Sequence, residues 1–423
     1  MRPRRRPWRR WRGCSFFTGG IVLCCSRMER WLPAGSGHSR AKVRRCVSMQ
    51  AIPYGKWCII GLVFLLLCEQ TGQAEGPASK ARAIPAHQAE RHLKNIRQLT
   101  MGRQNAEAYF SFSGNKLIFQ STNNWMKDTY AATLKPADLG LGCYQMYVMD
   151  LDSETVRLVS TGTGATTCGY FFPGDRRVLY SSTHASGPNC PPKPKRDGAY
   201  RWALDDYDLY AVRIDGQEMQ RLTSTPGYDA EATVSPDGKT IVWTSVKDGD
   251  LDLYAMNLDG SKPRRLTNEI GYDGGAFFSP DSKHIVYRAS HPTDQAEIDK
   301  YKDLLNQGLV EPGQLEIFVM DADGGGKRQV TSNGASNFSP FYFPDGQRII
   351  FSSNIETKSE GGRPSFHLYV IGEDGQGLER LTFDGQFNSF PMFSPDGSSL
   401  VWVSDRQAKA PGEFNVFLAD WVP

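Results

Sequence analysis

The sequence predicts an all-β fold, a six-bladed β-propeller closed by an N-terminal strand that completes the last blade. Three observations carry this. The stretch "VSPDGKTIVWTS" at 234–245 returns as "FSPDSKHIVYRA" at 278–289, "FPDGQRIIFSS" at 343–353 and "FSPDGSSLVWVS" at 393–404. Ser235 and Ser279 stand 44 residues apart, within the roughly 40 to 45 residues of a four-stranded blade. The chain is also rich in Gly, Pro and aromatic residues, as many short strands joined by tight turns require. A catalytic centre is normally built once, so a recurring Ser-Pro-Asp-Gly reads as architecture and not as a nucleophile.

Taken in order, residues 1–48 hold 13 Lys/Arg against the single acid Glu29, and read as an extension upstream of a start at Met49. Residues 49–74 read as a secretory signal: a short n-region with Lys56, an apolar run from Trp57 to Cys68, and small residues Gly72 and Ala74 before a mature end at Glu75. That run falls short of the roughly 20 residues of a membrane-spanning helix, so none is expected in the mature chain. A lipoprotein anchor at Cys68 is the weaker reading, since Leu67 stands where a small residue is expected. Residues 75–91 read as a linker and 92–423 as the propeller. The expected location is therefore periplasmic or secreted. From Glu75 onward, 35 Lys/Arg face 44 Asp/Glu, a net of −9. Such a chain has no diffuse attraction to nucleic acid.

The unit from Asp229 to Thr267 divides into four strands. "EATVS" is the first, Pro236-Asp237-Gly238 turns the chain, "TIVWTS" and "DLYAMN" follow, Asp259-Gly260 turns it again, and "RRLT" is the outer strand. Pro presets the first corner, while Asp and Gly supply the side-chain bond and positive φ of a tight hairpin. Aligning on this turn gives six blades, at Ser111, Phe172, Ser235, Ser279, Phe343 and Ser394. Outer strands follow five of them, ending in "VRLVS", "QRLTS", "RRLTN", "RQVTS" and "ERLTF". The sixth copy, "IRQLT" at 96–100, precedes the first blade, and the last blade stops at its third strand, "NVFLADWVP". The two ends should therefore pair and leave no open edge.

These repeats, "SPDG", "LYxMxxDG" and "RLT" over residues 92–423, resemble the six-bladed propeller of the TolB type. The resemblance implies the fold and a binding scaffold. Similar repeats occur in oligogalacturonate lyases and in prolyl-oligopeptidase-like peptidases, so the motif specifies architecture more than activity. TolB carries an α/β domain before its propeller, whereas here some twenty residues separate Ala74 from the first repeat strand. The peptidases carry a G-x-S-x-G elbow that this sequence lacks.

Strands of a blade alternate in direction, which places every long insertion (122–143, 184–206, 290–314, 354–365 and 405–413) on one face. The insertion "TDQAEIDKYKDLLNQG" predicts a helix capped by Thr293 or Asp294 and stopped by Gly308. On this face the first strands start at Asn105, Thr166, Asp229, Asp273, Asn337 and Asn388, and two residues on stand Glu107, Cys168, Glu231, Gly275, Ser339 and Phe390. Such a ring would either bind a polar ligand or a divalent cation through oxygen, or cap strand ends and hold channel water. No aligned ring position is basic, so a cation or the loop Lys193–Arg201 would relieve the repulsion among Asp229, Glu231 and Asp273. His184 and His291, with Arg288 nearby, add groups that a metal-assisted lyase would use. Three cysteines follow Glu75; a disulfide involving Cys168 is expected, with Cys190 preferred over Cys143 as its partner. The reading that follows is a monomeric, non-catalytic, exported propeller binding a protein, peptide or glycan on the elaborated face. The alternative is a metal-assisted carbohydrate lyase or hydrolase at the channel mouth.

Overall fold

The structure is a computed structural model that describes residues 81–122, 143–194, 200–357 and 364–423. The expectations for the upstream extension, the signal segment, the mature end at Glu75 and Cys68 lie outside the described residues, as do Lys195 and Arg196.

Six antiparallel sheets form the blades. Their first strands are Asn105–Phe110, Thr166–Phe171, Asp229–Val234, Tyr272–Phe278, Asn337–Tyr342 and Asn388–Phe393, for blades I to VI. Successive first strands touch all the way round, blade VI against blade I included, so the ring is closed with these strands innermost. The second strands, such as Thr240–Ser245 and Ser399–Ser404, are buried along nearly their whole length. They are covered on both faces by neighbouring blades, which is why their sequences are almost continuously apolar.

The repeated motifs have local explanations. In "SPDG", the Ser235 hydroxyl donates to Asp237 Oδ1 (2.6 Å) and accepts from the amide of Thr240 (3.0 Å), while Gly238 takes φ +69°. In "RLT", the outer strand runs out before its neighbour does, and the Thr hydroxyl takes over as acceptor. Thr223, Thr267, Thr331, Thr382 and Thr100 accept from the amides of Leu209, Leu253, Ile317, Leu368 and Val416 at 2.8–2.9 Å, and Ser160 does so from Met146 at 3.1 Å.

Closure occurs as the sequence implies. Leu93–Gln98 pairs antiparallel with Asn415–Trp421, the third strand of blade VI. The expected linker 75–91 is corrected in part: Arg82–Ala83 adds a fifth strand outside Leu93–Gln98. Glu90 is buried against Arg406, whose guanidinium donates to it at 2.7 and 3.1 Å. A segment that contributes a strand and a buried carboxylate is part of the domain.

The expected helix is Gln295–Asn306, with Asp294 as N-cap accepting from the amides of Ala296 and Glu297. Its Tyr301 hydroxyl donates to Asp250 Oδ1 (2.5 Å) and lies 2.8 Å from Gly271 O, pinning the helix to blades III and IV. Among the described residues no helix is long and apolar enough to cross a membrane.

Candidate functional site

The two aligned rings have different jobs. At the outer one, each residue donates its backbone N–H to the preceding blade: Asn105 to Phe414 O, Thr166 to Tyr144 O, Asp229 to Tyr207 O, Asp273 to Leu251 O, Asn337 to Leu315 O and Asn388 to Phe366 O, all at 2.8–3.0 Å. Their side chains are buried in the same joints. Asn105 Nδ2 donates to Gly102 O (2.9 Å) while its Oδ1 accepts from Ser121 (2.7 Å); Asn337 donates to Leu315 O (2.8 Å); Asn388 donates to Asp384 O (3.0 Å). Asp229 accepts from Thr225 (2.7 Å) and Trp243 Nε1 (3.0 Å). Asp273 contacts His291 Nε2 at 3.0 Å. Burial raises the Asp273 carboxyl despite this partner, while Asp273 raises His291 against the opposing effect of burial.

The inner ring faces the axis. Between each first and second strand the register slips once, and all six inner-ring residues, Glu107, Cys168, Glu231, Gly275, Ser339 and Phe390, take φ of 49° to 60°. A bulge with one residue in the left-handed region re-aims a side chain, here at the same height in every blade. Below it, four residues past the outer ring, Tyr109 of blade I meets Phe277 of blade IV at 5.3 Å between ring centroids, and Tyr170 and Phe341 join them. Blades I and IV are opposite each other, so these aromatics fill the channel and form a floor.

Blade IV departs from its sisters. It has glycine in the inner ring, and the guanidinium of Arg288 occupies the space: a Cβ on Gly275 would stand 2.6 Å from Arg288 Nη1, and one on Gly274 2.5 Å from Glu231 Oε2. Arg288 ion-pairs with Glu231 Oε1 and donates from Nε to the Tyr272 hydroxyl (3.1 Å). Glu231 Oε2 accepts from Tyr272 (2.9 Å), the Gly275 amide (2.9 Å) and Thr244 (3.0 Å). This corrects the expectation of three mutually repelling carboxylates. Asp229, Glu231 and Asp273 each have a separate partner, and the base that neutralises Glu231 comes from a second strand, which alignment of first strands does not compare. Among the described residues no group of three or more His, Cys, Asp or Glu side chains is placed to hold a metal ion.

Sequence reasoning missed Trp202. Trp202–Ala203, from the blade II insertion, pairs with Leu309–Val310, which follows the helix. The indole lies over Arg288 (5.3 Å) and against Tyr272 and Phe338. Trp202 thereby covers Arg288 where blades IV and V meet. The Gly-Gly pair at 274–275 was the available signal, since it marks a place where another side chain must enter.

His184 and His291 do not converge. His184 bonds Ser182 (2.8 Å) and packs on Tyr210 within blade II, where burial and Arg221 lower its pKa. The disulfide is Cys143–Cys190, with Cα atoms 5.7 Å apart, and Cys168 is free, which corrects the expected Cys168–Cys190 pairing. Cys143 and Cys190 both lie in loops at the blade I–II rim, where Gly164 donates to Pro188 O (2.9 Å). Cys168 sits deeper, on the bulge beside Thr167 (3.2 Å). Burial pushes its thiol up. Peptide mapping without reduction is expected to show the 143–190 linkage, and Cys190→Ser to lower stability by about 2 to 4 kcal/mol. A map that links Cys168 instead would reject this connectivity.

Comparison with known proteins matches this architecture. Relatives include the Tol-Pal system protein TolB of Helicobacter hepaticus, 32% identical over 100 residues covering 23% of each chain. Another is a TolB homolog of Chlorobium luteolum, 28% identical over 152 residues covering 33% of this chain and 34% of that one. The match thus spans between about a quarter and a third of those relatives. Solved structures with a similar course include a TolB of Agrobacterium tumefaciens (18% identity, TM-score 0.49, 76% of this chain and 92% of that one). An oligogalacturonate lyase in complex with manganese is also similar (14% identity, TM-score 0.45, 82% and 98%). The TolB beta propeller domain model, PD40, matches residues 202–307 and 303–420, together more than half of the sequence. With six blades, the repeated turn and the repeated Thr cap in place, the chain belongs to the TolB beta propeller domain family.

Proposed function

We propose that this protein is an exported, monomeric, non-catalytic propeller that binds a protein, peptide or glycan on its loop-elaborated face. The observation that carries this reading is the asymmetry of the two faces. One is held to short turns, while the other carries the helix, the small sheet with Trp202 and the disulfide-tied loops. Loops on a rigid scaffold are where binding surfaces are elaborated. Export is supported by the signal-like segment 49–74 and by the Cys143–Cys190 bond, which an oxidising compartment favours.

A second reading, a carbohydrate lyase or hydrolase, draws on one observation. Burial lifts the Glu107 carboxyl to about 7, in the range of an acid–base group. Peptide and glycan arrays probed with the purified protein separate the two faces. Tyr200→Ala, at an exposed position of the elaborated face, should lower the signal roughly tenfold, a loss of about 1.4 kcal/mol, whereas Lys239→Ala beside the "SPDG" turn should not. Equal loss from both faces, or turnover of an arrayed glycan, would refute the proposed reading.

A further inference from the structure

Away from Trp202, the channel mouth contains a carboxylate that, among the described residues, has no ion-pair partner. Glu231 has Arg288, but Glu107 has, among the described residues, only polar neighbours: Gln120 Nε2 at 3.4 Å and the Cys168 thiol. Gln120 is itself held, its Oε1 accepting from Thr167 (2.9 Å) and from the Cys168 amide (3.1 Å). Next to Glu107 in the inner ring comes Phe390 of blade VI, half-buried. On the same face, around blades VI and V, half-buried rings adjoin one another in a row: Phe414 to Phe387 at 4.8 Å, Phe387 to Phe366 at 6.0 Å, Phe366 to Phe338 at 5.4 Å. The row ends with Phe338 against Trp202. A single recessed carboxylate bordered by aromatic faces suits a cation at the end of an apolar stem.

We propose that this pocket receives a lysine side chain of a partner protein, its ammonium on Glu107 and its methylene stem against the phenylalanine rings. The proposal rests on the reading of the elaborated face as the binding face, and names what that face recognises. A lysine fits better than an arginine, because Gln120 already faces one Glu107 oxygen and a guanidinium fork prefers both. A partner segment fits better than a free ion, because the carboxylate lies below the rim and must be reached by a stem. The net charge of −9 from Glu75 onward favours a basic partner at long range.

The groups facing Glu107 set its pH response. Burial raises its carboxyl to about 7; Glu231 pushes the same way, while Cys168 and Arg288 oppose. Tyr109, Tyr144 and Tyr207 share this environment, and their phenols are raised by burial and stay neutral. A site that needs the ionised carboxylate therefore weakens as pH falls, by about tenfold between pH 8 and pH 6.

The test uses the full chain and two pentapeptides, Gly-Gly-Lys-Gly-Gly and its norleucine counterpart, titrated calorimetrically at pH 6 and pH 8. The lysine peptide should bind about tenfold more tightly than the neutral one at pH 8, the scale of one charge-assisted contact, and lose that advantage at pH 6. Glu107→Gln should remove both the preference and the pH dependence without lowering the melting temperature, since the raised carboxyl already costs stability when ionised. Equal binding of the two peptides, or a flat pH profile in the unmodified protein, overturns the proposal even if the variant fails to fold. Lysine binding that emerges only after Lys195 and Arg196 are both replaced by Gln assigns the pocket to the chain's own loop, and also overturns it. If Tyr200→Ala abolishes array binding while Glu107→Gln leaves the lysine preference intact, the lysine pocket fails and the binding face stands.

Discussion

Deletion of Arg91 to Thr100 is expected to unfold the whole ring, although in sequence the segment precedes the first blade. The segment is the outer strand of blade VI, and Leu93, Ile96 and Leu99 are all but completely buried. Each such side chain contributes about 1.5 to 3 kcal/mol when buried, hence roughly 5 to 9 kcal/mol together. That approaches the whole margin of about 5 to 15 kcal/mol of an ordinary domain. Thr100 is lost as well, whose hydroxyl accepts from the Val416 amide at 2.8 Å and secures the top of the neighbouring strand. The strand Asn415–Trp421 would become a bare edge, open to pairing between molecules. Calorimetry should show a fall in melting temperature of more than about 10 °C or no cooperative transition at all. An unfolding curve indistinguishable from that of the intact chain would mean that the ends do not close the ring.

The second large effect is expected at Glu90. Its carboxylate and Arg406 are both fully buried, and the guanidinium also lies over Trp402 (5.1 Å) and Phe417 (5.7 Å). Glu90 Oε1 additionally accepts from the amide of Phe383 (2.9 Å). One side chain thus joins the N-terminal segment to blade V and to the insertion of blade VI. Glu90→Gln strands a buried guanidinium and should cost about 3 to 5 kcal/mol in chemical denaturation. The double variant Glu90→Leu with Arg406→Met should cost much less, because it removes both charges and keeps the volume. A double variant as unstable as the single one would show that the pair acts through shape and not through charge.

The same pair sets an acid dependence. Burial acts to raise the Glu90 carboxyl, but the hydrogen bond and charge of Arg406, with the amides of Phe383 and His87, outweigh it and hold the group below the usual carboxylate range. A folded-state value below the unfolded one means stability that is fully present above the unfolded pKa and is lost as pH falls through the folded value. The difference in stability between the native chain and Glu90→Gln should therefore be constant near neutrality and shrink below about pH 4.

Much of this was readable in one dimension, for reasons that are local. A hairpin needs its Pro, Asp and Gly within four residues, and a strand covered on both faces must be apolar along its length, so "SPDG" and "TIVWTS" declare blades wherever they occur. The displaced "IRQLT" declared closure, because a strand missing from one end of a repeat and surplus at the other has one economical place to go. The helix at 295–306 was likewise visible, since its cap, spacing and stop lie within sixteen residues.

What the sequence by itself determined is therefore the ring: six blades, their strand order, the closing strand and the face that bears the insertions. Tertiary structure alone decided how the aligned residues divide into a buried latch and an axial ring, because that depends on a bulge that rotates one residue per blade into the left-handed region. It also decided that Arg288 fills the space left by Gly274 and Gly275, that Trp202 crosses from blade II to cover it, and that Cys143 takes Cys190 while Cys168 remains free. Each of these joins residues far apart in the chain whose meeting depends on where a loop lands, and short-range chemistry does not encode that distance.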